Sequence, residues 1–441
     1  MAKKISEAAK SEFKAGNWVV YPTHGVGKVM GVEEQEFDGI NGGSLQFSPD
    51  SQRVAYLASR EGKWLLVVDG EEGVVYENAG SLTFSPDSKR VAFGAQRDGK
   101  WLVVIDGVEG PEYEHIAGQS LSFSPDSQRL AYGVTRGEQW VVVVDGEESP
   151  AFDRVSSLVF SPDSQHVVYR AGRNEKWVIV FDGVEAEPYD DVASPAFSPS
   201  GERLAYSVTR TGKQMLVVDG VAGAEYEGVG APLFSPDSQH LAYIAKRDGK
   251  QLLVVDGVEG PEFDSIRDEN VAFSPDSERL AYAPRRGLKQ LVVVDDVEGK
   301  GYDGIGGGSL TFSPDSKRLA YTAGSLTGQG VVVDGIEGST YDGIGSGSVT
   351  FSPDSQRLLY HAVRNEKMLF VVDGVEAEQY DGFLRGSELM FTNPSVFHIL
   401  AARGDEIFRV EVEIVAGGLG PQAVSQMKPT AVPENTPSRS P

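Results

Sequence analysis

The sequence predicts an all-β protein, a β-propeller built from four-stranded antiparallel blades. The segment Phe-Ser-Pro recurs nine times between Phe47 and Phe351, at spacings of 37 to 39 residues. Each repeat contains short apolar segments separated by turn residues. A fixed period of this length indicates one supersecondary module per repeat. Such a module buries its apolar faces by stacking on its neighbours.

Each repeat is predicted to form four strands. Alternating apolar residues before each Phe-Ser-Pro, as in Ser81 to Phe84, predict the first strand. The following Ser-Pro-Asp-Ser predicts a tight turn, because Pro fixes its own φ angle and Asp and Ser bond to nearby amides. A second strand ends near Tyr243, and the β-branched segment Leu252 to Val255 predicts a third strand buried on both faces. Asp-Gly then predicts another tight turn before a short fourth strand that carries one aromatic residue, such as Tyr226.

Four strands at a period near 40 residues are typical of one propeller blade. A parallel β-helix requires a shorter coil, and a helical repeat would show a 3.6-residue period that this sequence lacks. The motifs FSPDSxRLAY and VVVDG resemble the WD-like repeats of TolB-type propellers and of the propeller domains that cap prolyl-oligopeptidase-like enzymes. The resemblance covers Ser44 to Glu413. It implies the fold and no particular function, since such blades serve unrelated tasks.

The two ends of the repeat region predict how the propeller closes. Phe37 to Ile40 matches Tyr302 to Ile305 and is expected to supply the fourth strand of the last blade, which begins near Phe391. The expectation is about ten blades, nine continuous and one composite; two five-bladed rings are the alternative. The predicted organisation is an N-terminal segment at 1–35, a propeller at 36–415 and a disordered tail rich in Pro, Ser and Gly at 416–441.

Composition narrows the class of function. The 441 residues include 40 basic and 65 acidic side chains, giving a net charge of −25 and arguing against direct nucleic-acid binding. There is no cysteine, so disulfides and thiol catalysis are excluded. No segment approaches 18 consecutive apolar residues, and the first 14 residues lack the apolar core of a secretory signal. We therefore expect a cytoplasmic protein without a membrane span.

The segment Phe13 to Glu36 departs from the repeat. Its residues predict two strands, Val19 to Tyr21 and Lys28 to Glu33, around a turn rich in Pro and Gly. WVVYP followed by HGVG resembles the start of the RNA-polymerase-interacting domain of CarD/CdnL regulators and the transcription-repair coupling factor. The resemblance implies contact with the RNA polymerase β subunit. The residues it implicates are Val19, Val20, Tyr21, Pro22, His24 and Val26. Alternatively, part of the stretch from Val29 to Ile40 belongs to the propeller.

No catalytic, cofactor or metal site is predicted. The six histidines do not lie at metal-ligand spacing, and the sequence lacks a nucleophile elbow, a Walker A loop and an EF-hand loop. The Asp-Gly pairs are interpreted as turns. Catalysis requires different groups converging on one point, whereas this chain repeats nearly the same residues in every unit. We therefore expect a protein that is not an enzyme.

A partner-binding rim is the remaining candidate site. Turns after the second and fourth strands are expected on one rim, and those after the first and third strands on the other, which carries carboxylates such as Glu109 and Glu259. The residues of the candidate rim are Trp64, Trp101, Trp140, Trp177, Arg97, Lys100, Arg247 and Lys250. The alternative is that the tryptophans pack between blades. The predicted function is a non-enzymatic scaffold for a protein partner; the alternative is a transcription-related protein that contacts RNA polymerase.

Overall fold

The structure of this chain is a computed structural model. It describes residues 18–21, 25–28, 39–40, 45–118, 120–383, 390–393, 396–404, 406–413 and 428–431. Within these residues it contains one two-stranded hairpin and ten antiparallel sheets of four or five strands each. The prediction of an all-β propeller fold is confirmed. The sheets are numbered here from 1 to 10 in chain order.

The strands of each sheet follow the order predicted from the repeat, and the first strand is split into two short pieces in most sheets. The first strands are Gly39–Ile40 with Gln46–Phe47, Asn78–Phe84, His115–Ile116 with Ser122–Phe123, Arg154–Phe160, Asp191–Val192 with Ala196–Phe197, Gly228–Val229 with Leu233–Phe234, Val271–Phe273, Gly304–Ile305 with Thr311–Phe312, Gly343–Ile344 with Thr350–Phe351, and Gly382–Phe383 with Met390–Asn393. The second strands are Val54–Arg60, Val91–Arg97, Leu130–Arg136, Val167–Arg173, Leu204–Arg210, Leu241–Arg247, Leu280–Tyr282 with Arg285–Arg286, Leu319–Ser325, Leu358–Arg364 and Val396–Arg403.

The third and fourth strands complete each sheet. The third strands are Lys63–Val68, Lys100–Ile105, Gln139–Val144, Lys176–Phe181, Lys213–Val218, Lys250–Val255, Lys289–Val294, Gly328–Val333, Lys367–Val372 and Glu406–Glu413. The fourth strands are Glu71–Tyr76, Val108–Tyr113, Glu147–Glu148, Val184–Glu185, Val221–Ala222, Val258–Phe263, Val297–Tyr302, Ile336–Tyr341, Val375–Tyr380 and Lys428–Ala431. A short 3₁₀ helix, Asp268–Asn270, precedes sheet 7.

The Asp-Gly turns explain how the third and fourth strands are joined so tightly. Asp106 and Gly107 both have positive φ angles, 51° and 81°. Two consecutive positive angles form the type I′ turn, whose twist matches that of a hairpin. The Asp106 carboxylate also accepts a hydrogen bond from the Val91 amide at 2.9 Å and one from Arg90 at 3.0 Å. Each of these carboxylates therefore ties its turn to the start of the second strand.

Aromatic pairs join each sheet to the next. The aromatic residue that ends the fourth strand meets an aromatic residue in the second strand of the following sheet. In sheets 2 and 3 these are Tyr113 and Tyr132, whose ring centroids lie 6.4 Å apart at an interplanar angle of 75°. Both rings are buried. Edge-to-face contact places the positive edge of one ring against the negative face of the other and adds to apolar burial.

Arginine at the end of each Ser-Pro-Asp-Ser turn makes a second link between sheets. Arg129 of sheet 3 donates from Nε to Asp145 of its own sheet at 2.8 Å. From NH1 it donates to the carbonyl oxygen of Gln165 in sheet 4 at 2.8 Å. Its guanidinium lies 5.2 Å from the ring centroid of Phe160 in sheet 4. One side chain thus bonds both sheets and covers the aromatic ring that begins the next turn.

The last serine of the same turn adds a third link. Ser164 has a φ angle of 67°, a left-handed conformation that few residues other than Gly adopt. Its hydroxyl accepts a hydrogen bond from the Asp126 amide of the preceding sheet at 2.9 Å. Equivalent bonds join Asp50 to Ser88 and Asp87 to Ser127. The unusual backbone conformation therefore places the hydroxyl where the neighbouring sheet needs an acceptor.

Two junctions depart from this arrangement. His166 in sheet 4 and His240 in sheet 6 replace the arginine, and both keep the bond to their own sheet's carboxylate, Asp182 and Asp256. The exposed His240 ring has a raised pKa, chiefly because it bonds to Asp256. At the junction of sheets 4 and 5, Gly201 also replaces the serine that would accept the Asp163 amide. The histidine side chain is too short to reach the carbonyl oxygen and the aromatic ring of the next sheet, which arginine contacts at the other junctions.

The predicted strand closure is wrong. Gly39–Ile40 pairs with Ser59 and Ala58 and so begins sheet 1 instead of completing the last sheet. The chain passes to the next sheet directly after the aromatic residue that ends the repeat's fourth strand, as at Tyr302. The Gly-Ile pair that follows therefore belongs to a first strand. In sheet 10 the fourth strand is Lys428–Ala431, which pairs with Phe408 to Glu411. The rest of the predicted tail at 416–441, and Phe37, lie outside the described residues.

The part of the chain that the structure describes contains no helix with the length and apolarity required to cross a lipid bilayer.

The arginine link predicts unequal costs at two equivalent positions. Arg129→Ala removes the Asp145 bond, the bond to sheet 4 and the contact with Phe160, and should lower the free energy of unfolding by about 2 kcal/mol. His166→Ala removes only the contacts of His166 within its own sheet and should cost clearly less. Urea unfolding followed by circular dichroism measures both. Equal losses would show that the link between sheets does not contribute.

Candidate functional site

The predicted rim arginines form closed networks with the neighbouring sheet. Arg97, at the end of the second strand of sheet 2, donates to Oε2 of Glu109 at 2.6 Å. Its guanidinium lies 5.4 Å from the ring centroid of Tyr76, which ends sheet 1. The Tyr76 hydroxyl donates to Oε1 of Glu109 at 2.9 Å. Three side chains from two sheets therefore satisfy one another.

This network shifts the pKa of two of its members. The bond from Arg97 lowers the pKa of the Glu109 carboxyl, and the bond from Tyr76 lowers it further. Burial raises the pKa of Tyr76 to about 12, and its bond to Glu109 contributes to the same shift. Glu109 is therefore ionised and Tyr76 neutral at pH 7, which is the pairing that the geometry requires.

The arginines and lysines of the candidate rim are paired with carboxylates. Arg247 donates to Glu259 at 2.8 and 3.0 Å. Lys250 bonds to Asp264, and Lys100 lies 3.8 Å from Glu114. The glutamates expected on the opposite rim lie within reach of these arginines because the fourth strand runs back across the sheet. Each predicted cation is thus neutralised by a carboxylate, and the surface presents paired charges.

Sheet 8 lacks the arginine of this network, and a lysine from another position replaces it. Ser325 stands where the other sheets have arginine. Lys300, in the fourth strand of sheet 7, places its ammonium group 5.6 Å from the ring centroid of Tyr302. The same group lies 2.6 Å from Oε1 of Glu337 in sheet 8. The cation therefore occupies the same place although it comes from the preceding sheet.

The carboxylate of the network is likewise supplied by the preceding sheet in two cases. In sheet 5, Ala222 stands at the position of the network glutamate, and Arg210 instead bonds at 3.0 Å to Glu187 of the preceding sheet. In sheet 10, Arg403 bonds at 3.1 Å to Glu378 of sheet 9. Sequence analysis missed these partners. The sequence does contain an indication of them. A lysine or glutamate stands at a position where the other repeats lack one, next to a repeat that lacks the usual arginine or glutamate.

The four predicted tryptophans occupy equivalent positions in sheets 1 to 4. Each is the second residue of a third strand and lies opposite the aromatic residue of the fourth strand. All four side chains are half-buried: Trp64, Trp101, Trp140 and Trp177. Trp64 packs against the core shared by sheets 1 and 2, and Trp177 against the core shared by sheets 4 and 5. Their role in binding a partner stays a prediction.

Glutamine takes the place of tryptophan in sheets 5 to 8. The side-chain oxygens of Gln214, Gln251 and Gln290 accept hydrogen bonds of 2.8, 2.7 and 2.8 Å from amides in the first strand of the next sheet or just before it. Gln329 does the same with the Ile344 amide. An indole has no acceptor for this amide. The first four sheets therefore forgo a link between sheets at the position where they carry an aromatic ring.

Two guanidinium groups lie close to the indole ring of Trp177. Arg154 lies 4.7 Å and Arg170 lies 4.5 Å from the indole ring. Arg170 also donates to Asp191 of sheet 5 at 3.1 Å. Guanidinium groups at these distances attract the ring electrostatically, and the Trp177 side chain stays half-buried.

The N-terminal segment forms a hairpin in which Trp18 pairs with Lys28 and Tyr21 pairs with Gly25. A two-stranded hairpin was predicted here, but its second strand is Gly25–Lys28 and begins earlier than the predicted Lys28 to Glu33. Val19, Val20, Tyr21 and Val26 lie within the paired strands. Pro22 and His24 lie outside the described residues. Gly39–Ile40 belongs to the propeller, as the alternative interpretation held.

Among the described residues, no group of three or more His, Asp or Glu side chains is arranged to hold a metal ion.

One family model matches this chain. It is described as the CarD-like/TRCF RID domain and matches residues 13–49. The predicted resemblance of the N-terminal segment is thereby confirmed. The match covers a small part of the chain and ends at residue 49, just after the first strand of sheet 1. No curated protein matches this sequence.

Several solved structures are similar to this chain at low identity. A eukaryotic initiation factor is 14% identical, with a TM-score of 0.38 over 70% of this chain and 88% of that one. The β-propeller domain of the Trilobed protease from Pyrococcus furiosus is 17% identical, with a TM-score of 0.29 over 60% of this chain and 96% of that one. TolB from Acinetobacter baumannii is 16% identical, with a TM-score of 0.26 over 47% of this chain and 62% of that one. The function of this chain is therefore argued from its own residues.

The replacement of the sheet 8 arginine by Lys300 predicts a rescue. Lys300→Ala should lower the thermal unfolding midpoint, because Tyr302 loses its cation and Glu337 its partner. Adding Ser325→Arg should restore the midpoint by supplying the cation from the usual position. Lys317→Ala is the matched control, since among the described residues the side chain of this lysine forms an ion pair only with Asp315 of its own turn. If adding Ser325→Arg to Lys300→Ala does not raise the unfolding midpoint, Lys300 does not take the place of the missing arginine.

The half-buried tryptophans predict intermediate accessibility. In a Trp18→Phe variant, only Trp64, Trp101, Trp140 and Trp177 emit. Acrylamide should quench the native protein measurably, and denaturation should increase the quenching. Negligible quenching of the native protein would place all four rings in the core. Quenching equal to that of the denatured protein would show that they do not pack between sheets.

Proposed function

We propose that this protein is a non-enzymatic cytoplasmic scaffold that binds a protein partner through sheets 1 to 4. One observation carries the proposal. Trp64, Trp101, Trp140 and Trp177 are half-exposed at equivalent positions on four consecutive sheets, and glutamine replaces them in the next four. The chain therefore has an aromatic row on one part of an otherwise repeating surface.

Energetic arguments support a binding role for the aromatic row. Tryptophan and arginine are the residues that contribute most often to the binding free energy of protein interfaces. In sheet 2, Arg97 lies opposite Lys100, the residue before Trp101, and bonds to Glu109, so a charged pair borders this indole in the strand register. Glutamine at the same position stabilises the stack through a hydrogen bond, as Gln251 does. Tryptophan at this position gives up that hydrogen bond and leaves part of an apolar ring exposed, where a partner can contact it.

The charged side chains favour a scaffold over an enzyme. Carboxylates, arginines and tyrosines recur in the same networks from sheet to sheet, as at Tyr76, Arg97 and Glu109 and again at Tyr226, Arg247 and Glu259. Their hydrogen bonds are used to hold adjacent sheets together. A catalytic site instead concentrates different groups at one point of the structure.

Affinity capture with matched baits tests the proposal. Wild-type protein and a Trp101→Gln/Trp140→Gln variant, which carries the chain's own alternative residue, are used to capture proteins from the source cells. We expect a partner that the variant loses by about tenfold or more, as removal of two interface anchors implies. Gln251→Ala/Gln290→Ala, altered at the equivalent positions of sheets 6 and 7, should retain it. A partner retained equally by all three baits would refute a role for the aromatic row.

A second function is favoured by the family match at residues 13–49. Among the described residues, the strands Trp18–Tyr21 and Gly25–Lys28 pair only with each other, so another strand can add at an outer edge. The matched family is named for RNA-polymerase interaction, and we propose the RNA polymerase β subunit as the alternative partner of this segment.

Deletion of residues 1–35 separates the two functions. If the hairpin contacts polymerase, purified β subunit should co-elute with the full chain and with the Trp101→Gln/Trp140→Gln variant, but not with the deletion. The deletion should still retain any partner of the aromatic row. A β subunit that fails to co-elute with the full chain would exclude the polymerase function and leave the scaffold function untouched.

A further inference from the structure

The junction of sheets 6 and 7 contains a cleft of 580 Å³ beside His240. Its floor is formed by Leu253, Val255, Phe273 and Tyr282, and its mouth by Glu278 and Asp296. These residues define the 6–7 cleft. It lies at one of the two junctions where histidine replaces the linking arginine. A second cleft, of 370 Å³, lies at the other such junction, between sheets 4 and 5.

The other junctions show what an arginine does at this place. The guanidinium groups lie 5.1 to 5.5 Å from a phenylalanine ring of the next sheet in six pairs: Arg53 with Phe84, Arg90 with Phe123, Arg129 with Phe160, Arg203 with Phe234, Arg279 with Phe312, and Arg318 with Phe351. The six rings are between 5% and 9% exposed. The rings at the two histidine junctions, Phe197 and Phe273, are more exposed and only half-buried.

The carbonyl oxygens of the next turn are the second acceptor for these arginines. Arg203, for example, donates to the carbonyl oxygen of Gln239 at 2.8 Å. At the 6–7 cleft the equivalent oxygens belong to Ser277 and Glu278. Within the described residues, no side chain donates to either of them. The cleft therefore keeps the ring and the acceptors of an arginine site but lacks the arginine.

The charge at the mouth of the cleft also differs from the other junctions. The position before the linking residue is Gln or Lys in most units, but it is Glu278 in sheet 7 and Glu202 in sheet 5, the two sheets that face a histidine. Asp296 further replaces the glycine of the Asp-Gly turn, with a φ angle of 63°. In the described structure neither Glu278 nor Asp296 forms an ion pair. Two exposed carboxylates thus border an apolar floor.

The remaining charges that line the cleft are already paired. Asp295 bonds to Arg279 at 2.9 Å, Glu259 to Arg247 at 2.8 Å and Glu298 to Arg286 at 2.7 Å. Arg279 also lines the cleft, and its guanidinium is bonded to Asp295 and to the carbonyl oxygen of Lys317 in sheet 8. The uncompensated charge of the cleft is therefore negative.

We propose that the 6–7 cleft binds an arginine side chain of the protein partner. The guanidinium lies against Phe273, donates to the carbonyl oxygens of Ser277 and Glu278, and is neutralised by the Glu278 and Asp296 carboxylates. This inference rests on the proposed scaffold function only in that the ligand is a protein. Arginine is favoured over lysine because its planar, weakly hydrated group stacks on an aromatic ring while it donates in several directions.

The cleft between sheets 4 and 5 is a weaker version of the same site. The ring at that junction, Phe197, is not one of the residues that line the cleft, and Phe181 lies beside it with 6.3 Å between centroids. His166 stacks on Phe181 at 5.0 Å. The two extra aromatic groups occupy the side from which a guanidinium would reach the ring. We therefore assign the arginine site to the 6–7 cleft.

Saturation-transfer NMR with short peptides tests this assignment. The probes are acetyl-Gly-Arg-Gly-amide and the same tripeptide with citrulline, which has the shape of arginine without its charge. All proteins carry His166→Arg, which closes the other cleft with the repeat's own residue. We expect the side-chain protons of the arginine probe to receive saturation from this protein and those of the citrulline probe to receive several-fold less.

Three variants locate the binding. His240→Arg fills the cleft from within and should reduce the arginine signal by about fivefold or more. Glu278→Gln restores the residue of most other units and should reduce it while leaving the cleft open. Gln239→Glu adds the same carboxylate at a junction that already has Arg203, and should not increase the signal. Circular dichroism confirms that each variant is folded, and Glu278→Gln tests the site even if His240→Arg disturbs the stack.

The outcomes separate this proposal from the scaffold function. An absent arginine signal, equal signals for arginine and citrulline, or a signal unchanged by both His240→Arg and Glu278→Gln would overturn the arginine site. Peptide binding that follows these variants would establish it even if no captured protein depends on Trp101 and Trp140. In that case only the function of the aromatic row would fail.

Discussion

Every sheet of this protein must bury both of its faces, and no sheet can do so alone. Sheet 3 illustrates the constraint: Val142 and Val143 are adjacent in one strand, point to opposite faces and are both fully buried. Val143 packs in the core shared with sheet 2, and Val142 in the core shared with sheet 4. The stability of the fold therefore depends on the junctions between sheets, where the aromatic pairs, serine hydroxyls and arginines lie.

The junctions require a cation and a carboxylate at defined places, and the residues that provide them vary. Where sheet 8 has Ser325 instead of arginine, Lys300 of the preceding sheet contacts the same kind of ring. Where sheet 5 has Ala222, Glu187 accepts from Arg210. An aromatic ring left at a polar surface, or an arginine without an acceptor, loses contacts that its neighbours depend on. Because a residue from another sequence position can compensate, the junction requires a cation or a carboxylate at a given place in the fold and not at a given position of the repeat.

The repeat made the strands and turns predictable. Ser-Pro-Asp-Ser and Asp-Gly are local signals, because Pro and Gly fix backbone angles within a few residues. The pairing of Arg97 with Glu109 was not predictable in this way, since the two residues lie on strands whose relative position depends on an intervening strand. The same applies to Lys428–Ala431, an edge strand with a proline at 429 in a segment that resembles a tail by composition. For the candidate site, the tryptophan positions followed from the repeat, but their partial burial and the neutralised arginines did not.

Departures from the repeat fall into two kinds, and the difference bears on function. The first kind is compensated within the chain, as by Lys300, and leaves the stack as it was. The second kind is not. The tryptophans of sheets 1 to 4 give up the hydrogen bond that Gln251 makes, and His240 gives up the arginine link while Glu278 and Asp296 add unpaired charge beside an exposed ring. Packing between sheets recovers part of this loss for the tryptophans, as at Trp64 and Trp177, whereas within the described residues Glu278 and Asp296 form no ion pair. In the functions proposed above, a partner binds at these surfaces, so the residues that contact it are those at which a departure from the repeat is not compensated within the chain.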